Sequence, residues 1–160
     1  MKKIIICTAG GFTAGVLFTL IMLLILFPSM MIETRESMYS LEDTVRMIDV
    51  NSEEQGWAVL RVWDLTRRMQ GAGYEDAPRV RVVELCHAEN TYNVLKNPED
   101  MFVSAIMPCR MSVYERPDGR VFVSRMNIGL MSRFFSSNVK SVMKGVEEDD
   151  VRILQDILKD

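Results

Sequence analysis

From Ile4 to Ile32 the chain carries no charged side chain. Its most apolar part, Ile4 to Phe27, is long enough as a helix, at about 1.5 Å per residue, to cross the ~30 Å hydrocarbon core of a bilayer with some tilt. A cleavable signal has a shorter apolar region and a small-residue cleavage site. Here the run closes on Leu26-Phe27-Pro28-Ser29-Met30-Met31, which offers no such site. Cys7 sits close to the start behind three isoleucines, which does not fit a lipid-attachment cysteine. The expectation is an uncleaved transmembrane anchor over residues 4–27. Lys2 and Lys3 precede it, and Glu33, Arg35 and Glu36 come after it. By the positive-inside tendency, residues 1–3 lie in the cytoplasm and the rest is extracytoplasmic (periplasmic), giving a single-pass protein of the cell membrane. Gly11 and Gly15 form a G-x-x-x-G pair, either a helix-pairing surface or ordinary small residues of a membrane helix.

The remainder of the chain amounts to one domain. Of 160 residues, those after a connector at 28–39 suffice for a single compact unit over residues 40–160. The net charge is −3, and discounting Lys2 and Lys3 leaves the remainder more acidic still. No basic stripe is present, which argues against nucleic acid as a partner, because phosphate neutralisation requires clustered Lys and Arg. Three cysteines are too few for a disulfide scaffold.

The local pattern predicts an alternation of helices and strands. Ser40 caps a helix bearing Leu41, Val45 and Ile48 on one face, with Asp43 completing a capping box. Trp57 to Trp63 is rich in aromatic and β-branched residues and reads as a strand. A short helix over 64–70 comes next, closed by Gly71-Ala72-Gly73, then a mostly apolar central strand over 80–85. His87 to Lys96 reads as a helix stopped by Asn97-Pro98. Phe102 to Glu115 reads as a strand interrupted or begun afresh at Pro108. Pro117-Asp118-Gly119 turns it into the returning strand Val121 to Met126. Helices are expected over 129–135, 139–144 and 147–158. The expected fold is α+β: a small mixed sheet of about four strands packed with helices, with at least one parallel pair because the connections contain helices, preceded by one transmembrane helix.

Chemistry concentrates between Val83 and Asn127. Cys86 ends a strand where a helix begins, so the helix dipole favours its thiolate, and His87, the only histidine, stands next to it as a base or ligand. Cys109 comes directly after Met107-Pro108. If the two strands bring the sulfurs together, an extracytoplasmic setting permits a disulfide, structural or redox-active. Alternatively, Cys86, His87, Met107, Cys109 and Met111 can hold a soft metal such as copper(I), which suits thiolate and thioether ligands. The 13 methionines are better explained by core filling than by metal binding, because methionine packs irregular gaps. The chain lacks C-x-x-C, a phosphate loop, G-x-S-x-G and H-E-x-x-H, so none of the chemistries those motifs carry is indicated.

The segments E-L-C-H-A-E-N-T-Y-N-V-L and I-M-P-C-R-M-S-V-Y-E-R-P-D-G-R-V-F-V-S-R-M-N-I-G-L-M resemble the bacterial and archaeal family called domain of unknown function 302. The resemblance covers Ser40 to Asp160 and excludes the apolar N-terminal segment. It implies a small α+β domain that pairs into homodimers, and accessory roles beside sulfur metabolism or extracytoplasmic redox systems. It carries over no catalytic residue, and many members have Asn at the position matching His87.

Two functions are expected. One is a membrane-anchored extracytoplasmic accessory domain that binds a sulfur species, soft metal or cofactor through Cys86 and Cys109, serving membrane redox or sulfur-metabolism proteins. The other is a structural homodimer subunit with no ligand chemistry. Whether the chain is an enzyme stays open, since no substrate is indicated.

Overall fold

The structure, a computed structural model, describes residues 2–159, with side chains from Gly15 onward. The pairing surface expected at Gly11, the acylation question at Cys7 and the side chains of Lys2 and Lys3 lie outside the described residues. Helix α1 (Lys2–Met30) leads with a single intervening residue into strand β1 (Ile32–Glu36). Next come α2 (Leu41–Glu54), β2 (Ala58–Asp64), α3 (Leu65–Gln70), β3 (Val80–Cys86) and α4 (Ala88–Leu95). A 3-10 segment, Pro98–Ile106, precedes the hairpin of β4 (Cys109–Glu115) and β5 (Val121–Met126). The chain closes with α5 (Ile128–Met131), a 3-10 turn (Ser132–Phe134) and α6 (Ser137–Leu154).

The sheet has five strands in the order β1-β5-β4-β3-β2, and every pairing is antiparallel. This corrects the mixed four-strand expectation in two respects. The connections through α3 and α4 join neighbouring antiparallel strands, β2 to β3 and β3 to β4, whereas the one through α2 carries the chain from one sheet edge, β1, to the other, β2. The fifth strand is β1, which lies in the expected connector. Its sequence Ile-Glu-Thr-Arg-Glu is too charged to read as a strand, yet charge suits an edge. It pairs with β5 from Ile32 opposite Met126 to Glu36 opposite Phe122. The other edge, β2, carries a bulge at which Leu60 is skipped between Val59 and Arg61.

Helices α2 and α6 cover one face of the sheet. Ser40 Oγ accepts the Asp43 backbone N–H at 3.2 Å and caps α2 as its sequence requires. Leu41, Thr44 and Ile48 of α2 are buried at helical spacing. They meet Val83, Leu85, Met111, Val113 and Val123 of the sheet and Val146, Ile153, Leu154 and Ile157 from α6 and the turn after it. The stretch expected as two helices, 139–144 and 147–158, is largely one helix, α6, which runs through Gly145 without a break and ends at Leu154.

Residues 102–106, expected in a strand, are 3-10 instead. Asn97 caps the segment, and the buried Asp100 accepts hydrogen bonds from Asn97 and Asn138, each at 2.9 Å, tying it to α6. Val103 is the apolar residue this segment buries. Strand β4 begins afresh after a cis Met107–Pro108 bond.

Among the described residues no helix is long and apolar enough to cross a membrane. The part of α1 whose side chains are described starts only at Gly15. Within that part, Val16, Leu17, Phe18, Leu20, Leu23, Leu24 and Ile25 are all exposed, so apolar groups point outward around the helix.

Candidate functional site

The end of β3, the start of β4 and the end of β5 meet at one end of the sheet. Between them, α4, the Pro98–Ile106 segment and α6 enclose a cavity of about 530 Å³. That is within the range of small-molecule sites, roughly 300–1,000 Å³. Its wall is mostly apolar, with Leu85, Val94, Val103 and Ile106 among the lining residues. Cys86, His87, Met107, Cys109 and Met111, the five residues singled out by sequence, all line it.

Their individual settings differ. Cys109 lies opposite Leu85 in the β3–β4 register, so Cys86 is one position beyond that pair. Both cysteines are half-buried and free, so the bridge raised as an alternative is not formed. Cys86 Sγ lies 3.4 Å from Thr91 Oγ1 on α4. Burial, with smaller contributions from the charges of Asp150 and Cys86, pushes the Cys109 thiol up to about 12, so it is neutral at physiological pH. Met111 reaches the cavity wall but is packed almost wholly in the core.

His87 is the N-cap of α4: its Nδ1 accepts the backbone N–H of Asn90 at 3.4 Å. Accepting through Nδ1 leaves Nε2 to carry the proton of the neutral ring. The Nε2 side faces Gly56, which has φ +78°. Trp57 packs edge-on to the imidazole with ring centroids 5.4 Å apart, and its Nε1 donates to Asp149 Oδ2 at 3.1 Å. A capping imidazole held between Trp57 and Gly56 is a positioning element for the start of α4. Among the described residues no three His, Cys, Asp or Glu side chains gather as a metal-holding group.

One site residue escaped the sequence reading. Asp150 of α6 lines the cavity and is 4% exposed. Burial pushes its carboxyl up to about 6, against the opposing pull of Arg125, whose guanidinium lies 3.2 Å away. Arg125 also reaches Glu33 of β1 at 3.1 Å and so bridges the edge strand to α6. The available signal was the stripe Val146, Asp150, Ile153, Ile157, in which an acid occupies an apolar helical position.

Comparison with known proteins fits this architecture. The family model described as "Domain of unknown function DUF302" matches residues 33–157. The chain belongs to this family. A crystal structure described as that of an uncharacterized conserved protein DUF302 from Bacillus stearothermophilus superposes with a TM-score of 0.71 at 18% identity. The match covers 79% of this chain and 98% of that one. At that identity the likeness speaks for the fold alone. No curated protein matches the chain. Family membership extends the region expected from sequence, which began at Ser40, back to the first residues of β1.

Proposed function

We propose that this member of the DUF302 family is a membrane-anchored, extracytoplasmic binding module. Its cavity takes a small, mostly apolar molecule, with Cys86 and Cys109 forming a thiol-bearing wall that suits a sulfur-containing ligand or cofactor. The observation that carries the reading is that both thiols line one apolar cavity of about 530 Å³. A neutral, soft Cys109 thiol contacts an apolar or sulfur-bearing group at little desolvation cost. The anchor reading is supported by the uncharged run Ile4–Ile32 and by the outward apolar side chains of α1, and the orientation by Lys2 and Lys3.

The test is native mass spectrometry of the full chain, purified in mild detergent without reductant, with metal analysis alongside. The expected result is a bound small molecule that is lost when Ala105→Trp narrows the cavity. A bare chain with free thiols, from several growth conditions, overturns the reading.

A second reading, a subunit that pairs with its own copy, rests on the sheet face turned away from α2 and α6. By strand alternation it carries Trp63, Val82, Tyr114 and Phe122. Light scattering of the detergent-solubilised chain gives a dimer mass under this reading and a monomer mass against it.

A further inference from the structure

The apolar surface of α1 does not stop at the domain. Phe27 near its end packs edge-on against Phe134, with ring centroids 5.7 Å apart. Phe134 is itself 64% exposed. The neighbouring Phe135 lies 6.1 Å from Phe102, and Phe102 and Met101 are 63% and 56% exposed. Three large apolar side chains from two separate segments thus extend the helix surface sideways across the domain, with the exposed Arg133 beside them. Aromatic and basic side chains side by side are what a headgroup boundary accommodates.

The cavity is built from the same two segments. Val103, Ala105 and Ile106 come directly after Met101 and Phe102, while Met126 and Ile128 precede Phe134. Its exposed lining residues include Ala105 and Ile32, the latter in the strand that continues α1. Ala105 stands three residues from Phe102, and Ile32 two residues past the end of α1, so two exposed parts of the cavity wall adjoin the patch and the base of α1 along the chain.

We infer that Met101, Phe102 and Phe134 seat the domain on the bilayer surface, and that the cavity fills from the membrane with a lipophilic molecule. This rests on the anchor and cavity readings above. A ligand dissolved in the membrane reaches the two thiols without passing through water. α1 then fixes the position of the domain as well as its attachment.

The experiment uses the full chain in phosphatidylcholine vesicles, with and without bromine on the acyl chains. Phe102→Trp and Phe134→Trp are compared with Leu60→Trp, placed at the opposite sheet edge where Leu60 is 58% exposed. Carbonate extraction reports anchoring separately. The expected result is a chain retained after extraction, with the fluorescence added at 102 and 134 quenched at least about twofold by brominated lipid and that at 60 unchanged. Retention without quenching at 102 and 134 overturns the seating and leaves the anchor standing. Release by carbonate overturns both. Trp63→Phe leaves Trp57, a cavity-lining residue, as the only tryptophan. Quenching of Trp57 supports filling from the membrane, and an unquenched Trp57 beside a quenched Phe102→Trp overturns it. Quenching at 102 and 134 does not depend on an occupied cavity, so failure of the seating is distinguishable from failure of binding.

Discussion

The Nδ1 atom of His87 accepts the backbone N–H of Asn90, so the chain's only histidine caps a helix. The sequence suggested a base or ligand beside Cys86, and the lone pair that would serve either role is engaged. Asparagine is among the strongest N-caps, so an Asn at this position is able to accept the same N–H. His87→Ala is expected to cost about 1 kcal/mol of stability and His87→Asn much less. Urea unfolding of the two variants checks this. Equal losses would show that contact with Trp57, rather than the cap, is what His87 supplies.

Asp150 gives the domain an acid-side stability. Its carboxyl is raised from 3.8 to about 6, so between those values the folded state holds a proton that the unfolded chain has released. Its contribution is fully present below about 3.8 and is lost as pH rises through about 6. The full swing is about 3 kcal/mol. Asp150→Asn, which cannot ionise, removes this dependence, so its melting temperature relative to the parent rises across that window. A constant difference from pH 4 to pH 7 would contradict it.

Cys109 is expected to be a slow thiol. With its ionisation pushed up to about 12 by burial, little thiolate exists at pH 8. Iodoacetamide should modify it at least about tenfold more slowly than an ordinary exposed cysteine. Peptide mapping after timed alkylation of the folded chain reads this directly, and the difference should vanish in denaturant.

Met111 is 2% exposed and packed among Val83, Leu85 and Val113, although it also reaches the cavity. Truncation to alanine is expected to cost about 2–5 kcal/mol, as for other large-to-small core changes. A loss below ~1 kcal/mol would mean that Met111 contributes little to the packing of the core. Chemical denaturation of Met111→Ala decides.

The cavity residues were legible because chemistry and patterning coincide in one stretch: Cys86 at a strand end, His87 at a helix start, Cys109 after a proline. The β4–β5 hairpin was legible for a similar reason, since Gly119 takes φ +81° in a turn that proline opens. What sequence missed are features set by partners far along the chain. β1 is a strand because β5 presents backbone groups to it, not because Ile-Glu-Thr-Arg-Glu prefers extension. Asp150 owes its role to Arg125 on a distant strand and to burial in the packed domain. The antiparallel order depends on where α3 and α4 pack, which local spacing does not encode.

The first strand of the domain is secured by the last residues. Ser37 N–H donates to Val121 O, Met38 N–H to Ile157 O, and Lys159 N–H to Glu36 O. Ser37 Oγ is buried at 2.7 Å from Thr44 Oγ1 beneath this closure. The domain is therefore a loop of chain tied shut at the point where α1 enters it. During synthesis β1 emerges early, yet its hydrogen-bonding groups find no partner until residues near 121 and 157 have been added. The closure around β1 is thus completed only after residues near 157 have been made, and until then its edge stays unpaired.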